Sequence, residues 1–419
     1  MDEAIPRSVE TVVIGAGHSG LIMSWYLRQA GREHVVLERR ETLGGGWQDR
    51  WDGFRLVTPN WITALPGYPY DGPDPDGFMD RESLVARIAG YAAAIDAPVR
   101  LAIEVTAVEA NPAAGRRFRL TTSDGPITAD HVIVASGSFQ APRVPGASAG
   151  FSRRITQLHS HDYRNDAQLP PGGVLLIGSG QTGAQLAEEL HEAGREVFLS
   201  VGQCGRVPRR YRGRDCFAWL RALAESGDAL GAGLPTVGQL PDPRMRFAGN
   251  PHVSGHRGGH DTNLRQMAAD GIRLVGRFVA ADGEHATFAP DLSANLQFAD
   301  GFFDARFRPI IDTFIERSTL DAPADDRAWP AFEPPAVTEL DLDRAGISTV
   351  LWTSGYARDY GWLRFPILDD AGLPRNERGV SEVPGLTFIG LLWQHTIASA
   401  NLVGVDLDAA YLASHWQAT

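Results

Sequence analysis

A six-residue glycine pattern occurs twice in this chain, each time between an apolar run and a helical segment. The first copy is Gly15-Ala16-Gly17-His18-Ser19-Gly20, preceded by Thr11-Val12-Val13-Ile14 and followed by Leu21, Ile22, Trp25 and Tyr26 at helical spacing. The second is Gly178-Ser179-Gly180-Gln181-Thr182-Gly183, preceded by Gly173-Val174-Leu175-Leu176-Ile177 and followed by a helix over 184–192 with Leu186 and Leu190 on one face. Strand, tight turn, helix is the dinucleotide-binding order. The first glycine permits the turn, the second lets backbone approach a diphosphate, and the third lets helix and strand pack closely. The helix N-terminus then offers free N–H groups and a positive dipole end to phosphate. One such pattern is weak, since glycines also serve ordinary turns. Two complete ones predict an α/β fold with two Rossmann-like dinucleotide-binding domains. Ser19, Gln181 and Thr182 count with the glycines as cofactor-binding residues.

The two modules differ where a coenzyme ribose would lie. After the first turn the next apolar run, His34-Val35-Val36-Leu37, ends in Glu38, and a carboxylate there suits free ribose hydroxyls. After the second, Val197-Phe198-Leu199 ends in Ser200, with Arg206, Arg209, Arg210, Arg212 and Arg214 in the following loop. Serine followed by arginines suits a 2′-phosphate. The first module therefore reads as an FAD site and the second as an NADPH site, with Ser200, Arg206 and Arg209 as the coenzyme-selecting residues.

Between and around the modules, Gly44-Gly45-Gly46-Trp47 is a flexible backbone segment with a ring that can stack on a ligand. Thr58 to Tyr70, dense in proline and aromatics, reads as ordered loop. His131-Val132-Ile133-Val134-Ala135-Ser136-Gly137 is a buried strand ending in small residues, which let backbone come close to a ligand. Thr349 to Trp352, followed by Thr353-Ser354-Gly355-Tyr356, repeats that pattern and predicts a return to the first domain. Prolines near 142–150 and 322–335 mark linkers. The expected partition is thus an FAD domain over 1–146 and 336–419, interrupted by an NADPH domain over 147–335 with added substrate-side elements. In the less legible middle, Asn295-Leu296-Gln297-Phe298 reads as a strand and Phe302 to Arg317 as a helix. His252, His256, His260 and Asp261 fit no standard zinc spacing, so no metal is expected. Acids at Asp406 and Asp408 read as caps of a last helix.

The balance of 39 basic against 51 acidic residues gives a formal charge of -12, which disfavours nucleic acid as partner. No apolar run reaches the roughly 18 residues a membrane span needs, and the acidic N-terminus lacks a signal peptide's apolar region. The two cysteines, Cys204 and Cys216, form no disulfide framework and are poorly placed as a close redox pair. A reducing cytoplasm is the expected location.

With these residues in place the chain resembles the class B flavoprotein monooxygenases, the group of flavin-containing monooxygenases, YUCCA-type enzymes and Baeyer–Villiger monooxygenases, over nearly its whole length. Both glycine turns, Gly45-Gly46-Trp47, Ala135-Ser136-Gly137 and Ser354-Gly355-Tyr356 stand where that family has its FAD, NADPH and hinge motifs. His159 and Tyr163 are similar to the H-x-x-x-Y part of its linker signature. The F-x-G opening is missing, Arg153 and Ile155 occupying that region, and the Baeyer–Villiger ending is absent too. The motifs sit nearest the YUCCA-like or bacterial branch. The resemblance implies that NADPH reduces FAD, that a C4a-(hydro)peroxyflavin forms with O2, and that one oxygen passes to a small organic substrate by N-, S- or C-oxygenation. It implies a catalytic place for Asn60 near that adduct. Gln394 and His395, beyond a core strand, could reach the flavin edge or substrate. The alternative is an NADPH-dependent flavin oxidase or dehydrogenase without oxygen insertion. Substrate and O2 are the expected partners, without membrane or nucleic acid; a homodimer is compatible.

Overall fold

The computed structural model describes residues 6–417 apart from 114, 228, 249 and 326–331. Trp329, in the second expected linker, lies outside the described residues.

The strand Ser8–Ile14 runs inside a parallel set. Ile14 stands opposite Leu37 of the strand His34–Leu37 and opposite Val134 of the strand Gly125–Val134. Leu386–Phe388 joins the far side of Gly125–Val134, with Phe388 opposite Val134, and Val99–Arg100 extends the other edge. Val12, Val13, Val36, Val132 and Ile133 are all buried. A sheet covered on both faces needs continuous apolar runs, and that is what these strands carry. The helices His18–Gln29 and Val405–Gln417 pack together. Because the central strands end in one row, Gly15, Glu38 and Ala135 emerge side by side.

The second sheet has five parallel strands, in the order Arg273–Val275, Val197–Ser200, Gly173–Ile177, Ile347–Trp352 and Thr156–His159. Ile177 stands opposite Ser200 on one side and Trp352 on the other, so Gly178, Val201 and Thr353 again emerge together. This topology corrects the expected domain boundary at 336. Ile347–Trp352 belongs to the second sheet, and Glu339–Asp341 pairs with His285–Phe288. The chain returns later, through Tyr356–Ala357, which pairs antiparallel with Ala141–Pro142 on the outgoing segment. A buried strand has the same composition in either sheet; only its pairing partner decides.

Two further expectations fail. Asn295 to Phe298 lies within the helix Leu292–Arg306, and the helix expected over 302–317 is broken at Phe307 into Leu292–Arg306 and Arg308–Arg317. Leu292, Leu296, Ala299 and Phe303 form one buried stripe, whose period is hidden in a four-residue window where Leu296 and Phe298 alternate like a strand. Among the described residues no helix is long and apolar enough to cross a membrane.

The two sheets meet where the helix Gln181–Glu192 faces the loop after Trp47. The Trp51 indole Nε1 donates to Glu189 Oε2 at 2.5 Å, and the Gln185 amide reaches the Arg55 carbonyl at 3.4 Å. Burial pushes the Glu189 carboxyl up from 4.5 to about 7, only partly opposed by the Trp51 bond. A raised carboxyl favours the protonated native state, so its contribution to stability is full below the ordinary carboxylate range and lost as pH rises through 7. Glu189→Gln, which keeps an acceptor without the charge, should be more stable than wild type above pH 7 by about 1–2 kcal/mol after allowance for solvent screening. That advantage should vanish toward the ordinary carboxylate range. Parallel curves of Tm against pH would refute it.

Candidate active site

The two glycine turns have the same geometry. Gly15 has φ +105°, and a Cβ there would lie 2.5 Å from the Ala135 carbonyl oxygen; Gly178 has φ +112°, and its Cβ would lie 2.6 Å from the Thr353 carbonyl oxygen. A Cβ on Gly20 would sit 2.0 Å from the Gly15 oxygen, and one on Gly183 would sit 1.9 Å from the Gly178 oxygen. No L side chain fits at these four positions. Gly17 and Gly180 differ, since a Cβ on either meets nothing within 4 Å. Each begins its helix from extended backbone without a side-chain cap. Their amides and those of the first helical turn are left for a ligand. The middle glycine of each turn is therefore needed by something that approaches the chain, and not by the chain itself.

Around the first turn the Glu38 carboxylate is 6% exposed and accepts from the Ala16 amide at 2.9 Å and the Arg40 amide at 3.1 Å, one bond per oxygen. Each oxygen keeps a lone pair for a ribose hydroxyl. Gly45 folds over the turn, its Cβ position 3.3 Å from the Gly17 Cα, and Gly45–Trp47 forms a short 3-10 turn. The Trp47 ring meets His18 at 6.3 Å and Phe54 at 6.0 Å. Ala135 is buried against Gly15, while Gly137 has φ +71° with open space at its Cβ position. Ser19 lies beside Gly390, whose Cβ would sit 2.6 Å from the Ser19 hydroxyl.

Around the second turn several predicted residues have other partners. The Ser200 hydroxyl donates to the Gly276 carbonyl at 2.9 Å and accepts from the Phe278 amide at 3.0 Å, which locks neighbouring strand ends together. Arg206, 3% exposed, holds Asp300 through two nitrogens at 3.1 and 2.7 Å. Arg209 pairs with Asp215 at 2.5 Å and donates to the Val57 carbonyl at 2.6 Å. Buried guanidiniums are costly unless paired, and these two meet that need within the chain. Both guanidiniums are thus engaged within the chain. The Gln181 side chain pairs with both backbone groups of Val253, at 2.7 and 3.1 Å, so only its backbone and that of Thr182 face a ligand from the helix start. Ser354 donates to the Arg143 carbonyl, and Gly355 accepts from the Arg143 amide at 3.0 Å and contacts the His159 ring at 3.1 Å. Tyr356 stands edge-on to Phe139 at 5.1 Å and to His159 at 5.3 Å.

The expected catalytic residues are partly occupied. Asn60 is 7% exposed; its amide nitrogen donates to the Asp74 carbonyl at 2.9 Å, while Oδ1 is buried without a hydrogen-bond partner. Gln394, 3% exposed, accepts from the Leu391 amide at 3.3 Å and turns its nitrogen toward the Arg378 carbonyl at 3.5 Å, so it shapes its own loop. His395 is held by its backbone, which accepts from Val237 at 2.7 Å and donates to the Ser399 hydroxyl at 3.0 Å.

The four-residue cluster His252, His256, His260 and Asp261 is dispersed among separate partners. His252 contacts the Ser179 carbonyl and burial holds its imidazole down to about 4. His260 pairs with Glu188 at 2.8 Å and His256 with Glu192 at 3.3 Å, while Asp261 accepts from the Arg209 amide. Both thiols are free and pushed up to about 12, chiefly by burial, so neither is poised as a thiolate. Asp406 takes a bidentate bond from Arg221, at 2.8 and 2.9 Å, and is no simple cap. Sequence reasoning passed over Glu189 and Arg50. Arg50 carried a signal, since it follows Trp47 by three residues in an aromatic run that already borders the first turn.

The family model for pyridine nucleotide-disulphide oxidoreductases matches residues 12–214. An uncharacterized CzcO-like oxidoreductase of Geobacillus kaustophilus is 29% identical over 406 residues, covering 96% of this chain and 97% of its own length. Indole-3-pyruvate monooxygenase YUCCA1 of Oryza sativa is 28% identical over 215 residues, 51% of this chain and 52% of its own. Among solved structures, a flavin-containing monooxygenase from Stenotrophomonas maltophilia superposes with a TM-score of 0.66 at 21% identity over 98% of both chains. A bacillithiol disulfide reductase from Staphylococcus aureus does so at 0.59 and 13% identity, over 98% of this chain and 99% of its own. At such identities these structures share the fold.

The glycine geometry separates binding from folding. Gly17→Val should leave stability within about 1 kcal/mol of wild type yet strip the purified protein of FAD. Gly20→Ala should cost roughly 1–3 kcal/mol or more by forcing helix from strand. Thermal melts and flavin absorbance per chain measure both; a flavin-replete G17V protein would remove the first turn as the FAD site.

Proposed function

We propose that this chain is a class B flavoprotein monooxygenase, a reading supported by its likeness to YUCCA1 and to a flavin-containing monooxygenase fold, and that it holds FAD at Gly15–Gly20 and NADPH at Gly178–Gly183 and oxygenates a small organic substrate. The observation that carries this reading is the pair of matching turns, each with a middle glycine that its own fold does not require. When bound, FAD supplies the redox chemistry, taking hydride from the coenzyme and delivering electrons to O2.

The chain supplies position and dryness. Glu38 offers its spare lone pairs to a ribose, and the start of the helix His18–Gln29 offers amides to the diphosphate. Trp47, Phe54 and Tyr356, all part-buried or buried, keep water from the space beside the first turn, which favours oxygen insertion over release as peroxide. The unmatched Oδ1 of Asn60 supports a polar contact to a ligand. With Arg206 and Arg209 paired internally, Arg277 is the better choice for a 2′-phosphate. Its side chain is 66% exposed with only a 3.5 Å ion pair to Asp291, and its neighbours Gly276 and Phe278 both bond the Ser200 hydroxyl. A cytoplasmic location is part of the same reading.

Purified protein should be yellow with FAD, and NADPH should bleach it under anaerobic conditions faster than NADH. Arg277→Ala should erase that preference by raising KM for NADPH about tenfold. A screen of amines, sulfides and 2-oxo acids should find a class that suppresses hydrogen peroxide release and takes up label from 18O2. Colourless protein that fails to reconstitute with FAD would sink the reading. Peroxide release undiminished by every class would select the oxidase alternative.

A further inference from the structure

Neither glycine turn contains a cation. Their twelve residues include one titratable side chain, His18 of the first turn, which burial holds neutral, down to about 4. Two diphosphates would therefore meet a chain of formal charge -12 with no cation in either turn, while Arg206 and Arg209 are engaged with Asp300 and Asp215 and Arg212 with Asp312.

Arg50 is built differently. It is 8% exposed, and its Nε is buried without a hydrogen-bond partner. Among the described residues no ion pair or hydrogen bond reaches the guanidinium. Its surroundings are rings, Phe139 at 4.5 Å and Trp47 and Phe54 at 5.9 Å each. Contacts of that kind return little beside the cost of removing an ion from water. Asp49 acts on it electrostatically but is bound by Arg40 at 2.5 Å, so a guanidinium so placed lacks a bonded counter-ion.

The box also has a telling location. Trp47 ends the glycine segment that lies over Gly17, and a Cβ on Gly46 would approach Phe139 at 3.8 Å. Phe139 in turn meets Tyr356, and that segment begins at Thr353, whose carbonyl lies against Gly178. The ring box thus spans the space from the first turn toward the second. His18 Nε2, on the same Trp47, is a second buried nitrogen without a partner.

We infer that Arg50 is the receptor for a dinucleotide diphosphate, its planar fork taking two phosphate oxygens inside the aromatic box. This rests on the two-dinucleotide reading above. The diphosphate belongs either to FAD or to the nicotinamide coenzyme, and the test separates them.

Arg50→Met and Arg50→Lys are compared with wild type by far-UV circular dichroism and Tm, by FAD affinity of deflavinated protein from flavin fluorescence quenching, and by NADP+ affinity of the flavin-loaded protein. Arg50→Met should weaken one of these affinities by about tenfold or more, FAD loss naming the flavin diphosphate and NADP+ loss the coenzyme. Arg50→Lys, which keeps the charge and the stem should the methionine variant fail to fold, should show an intermediate loss of the same affinity. Wild-type affinity for both dinucleotides, within twofold, in a folded variant overturns the inference. If wild type itself binds neither dinucleotide, the underlying reading fails instead.

Discussion

Both turns depend on one close approach, in which the carbonyl oxygen of the first glycine occupies the place where a side chain would begin on the third. The distances, 2.0 Å at Gly20 and 1.9 Å at Gly183, are the same within a tenth of an ångström. A second carbonyl, from the adjoining strand end, closes in on the first glycine in each case. Helix and strand can then dock so tightly that the helix's free amides point along the sheet edge. Everything placed there, Glu38 beside the first turn and Thr353 beside the second, takes its position from that docking.

What brings the two edges to face each other is a seam of polar contacts laid over apolar packing. Trp51 and Gln185 reach across it, and Arg209 joins the Val57 carbonyl to Asp215 on the other side. These groups are buried enough that each requires a partner. The seam is therefore specific in register, and its carboxylate, Glu189, carries the cost of burial in a raised pKa. Arg206 and Arg209 work in the same way, spending their charge inside the protein.

Much of this was legible from the residues. Strand, turn and helix at both fingerprints, the acid at Glu38 and the small-residue strand ends all stand where local pattern put them, because backbone sterics and burial act within a few residues. Ile347–Trp352 was assigned to the wrong sheet since an apolar strand carries no mark of its partner. The helix Leu292–Arg306 was missed because its stripe spans three turns while the alternation of Leu296 and Phe298 is local. The pairing of Arg206 is illegible for a related reason: it finds Asp300 across 94 positions, and no spacing rule reports on that.

By itself, then, the sequence determined two strand, glycine-turn, helix units and the α/β class, since only glycine tolerates those backbone angles and approaches and the residues that follow repeat at strand and helix periods. Which charges remain for a ligand was decided only by the tertiary structure. Arg206 meets a carboxylate 94 positions away and Arg209 one only six positions on, so both are neutralised, whereas Arg50 meets rings and is not. Side-chain charge is written in the sequence, but whether it is spent depends on what folding places within about 4 Å of it.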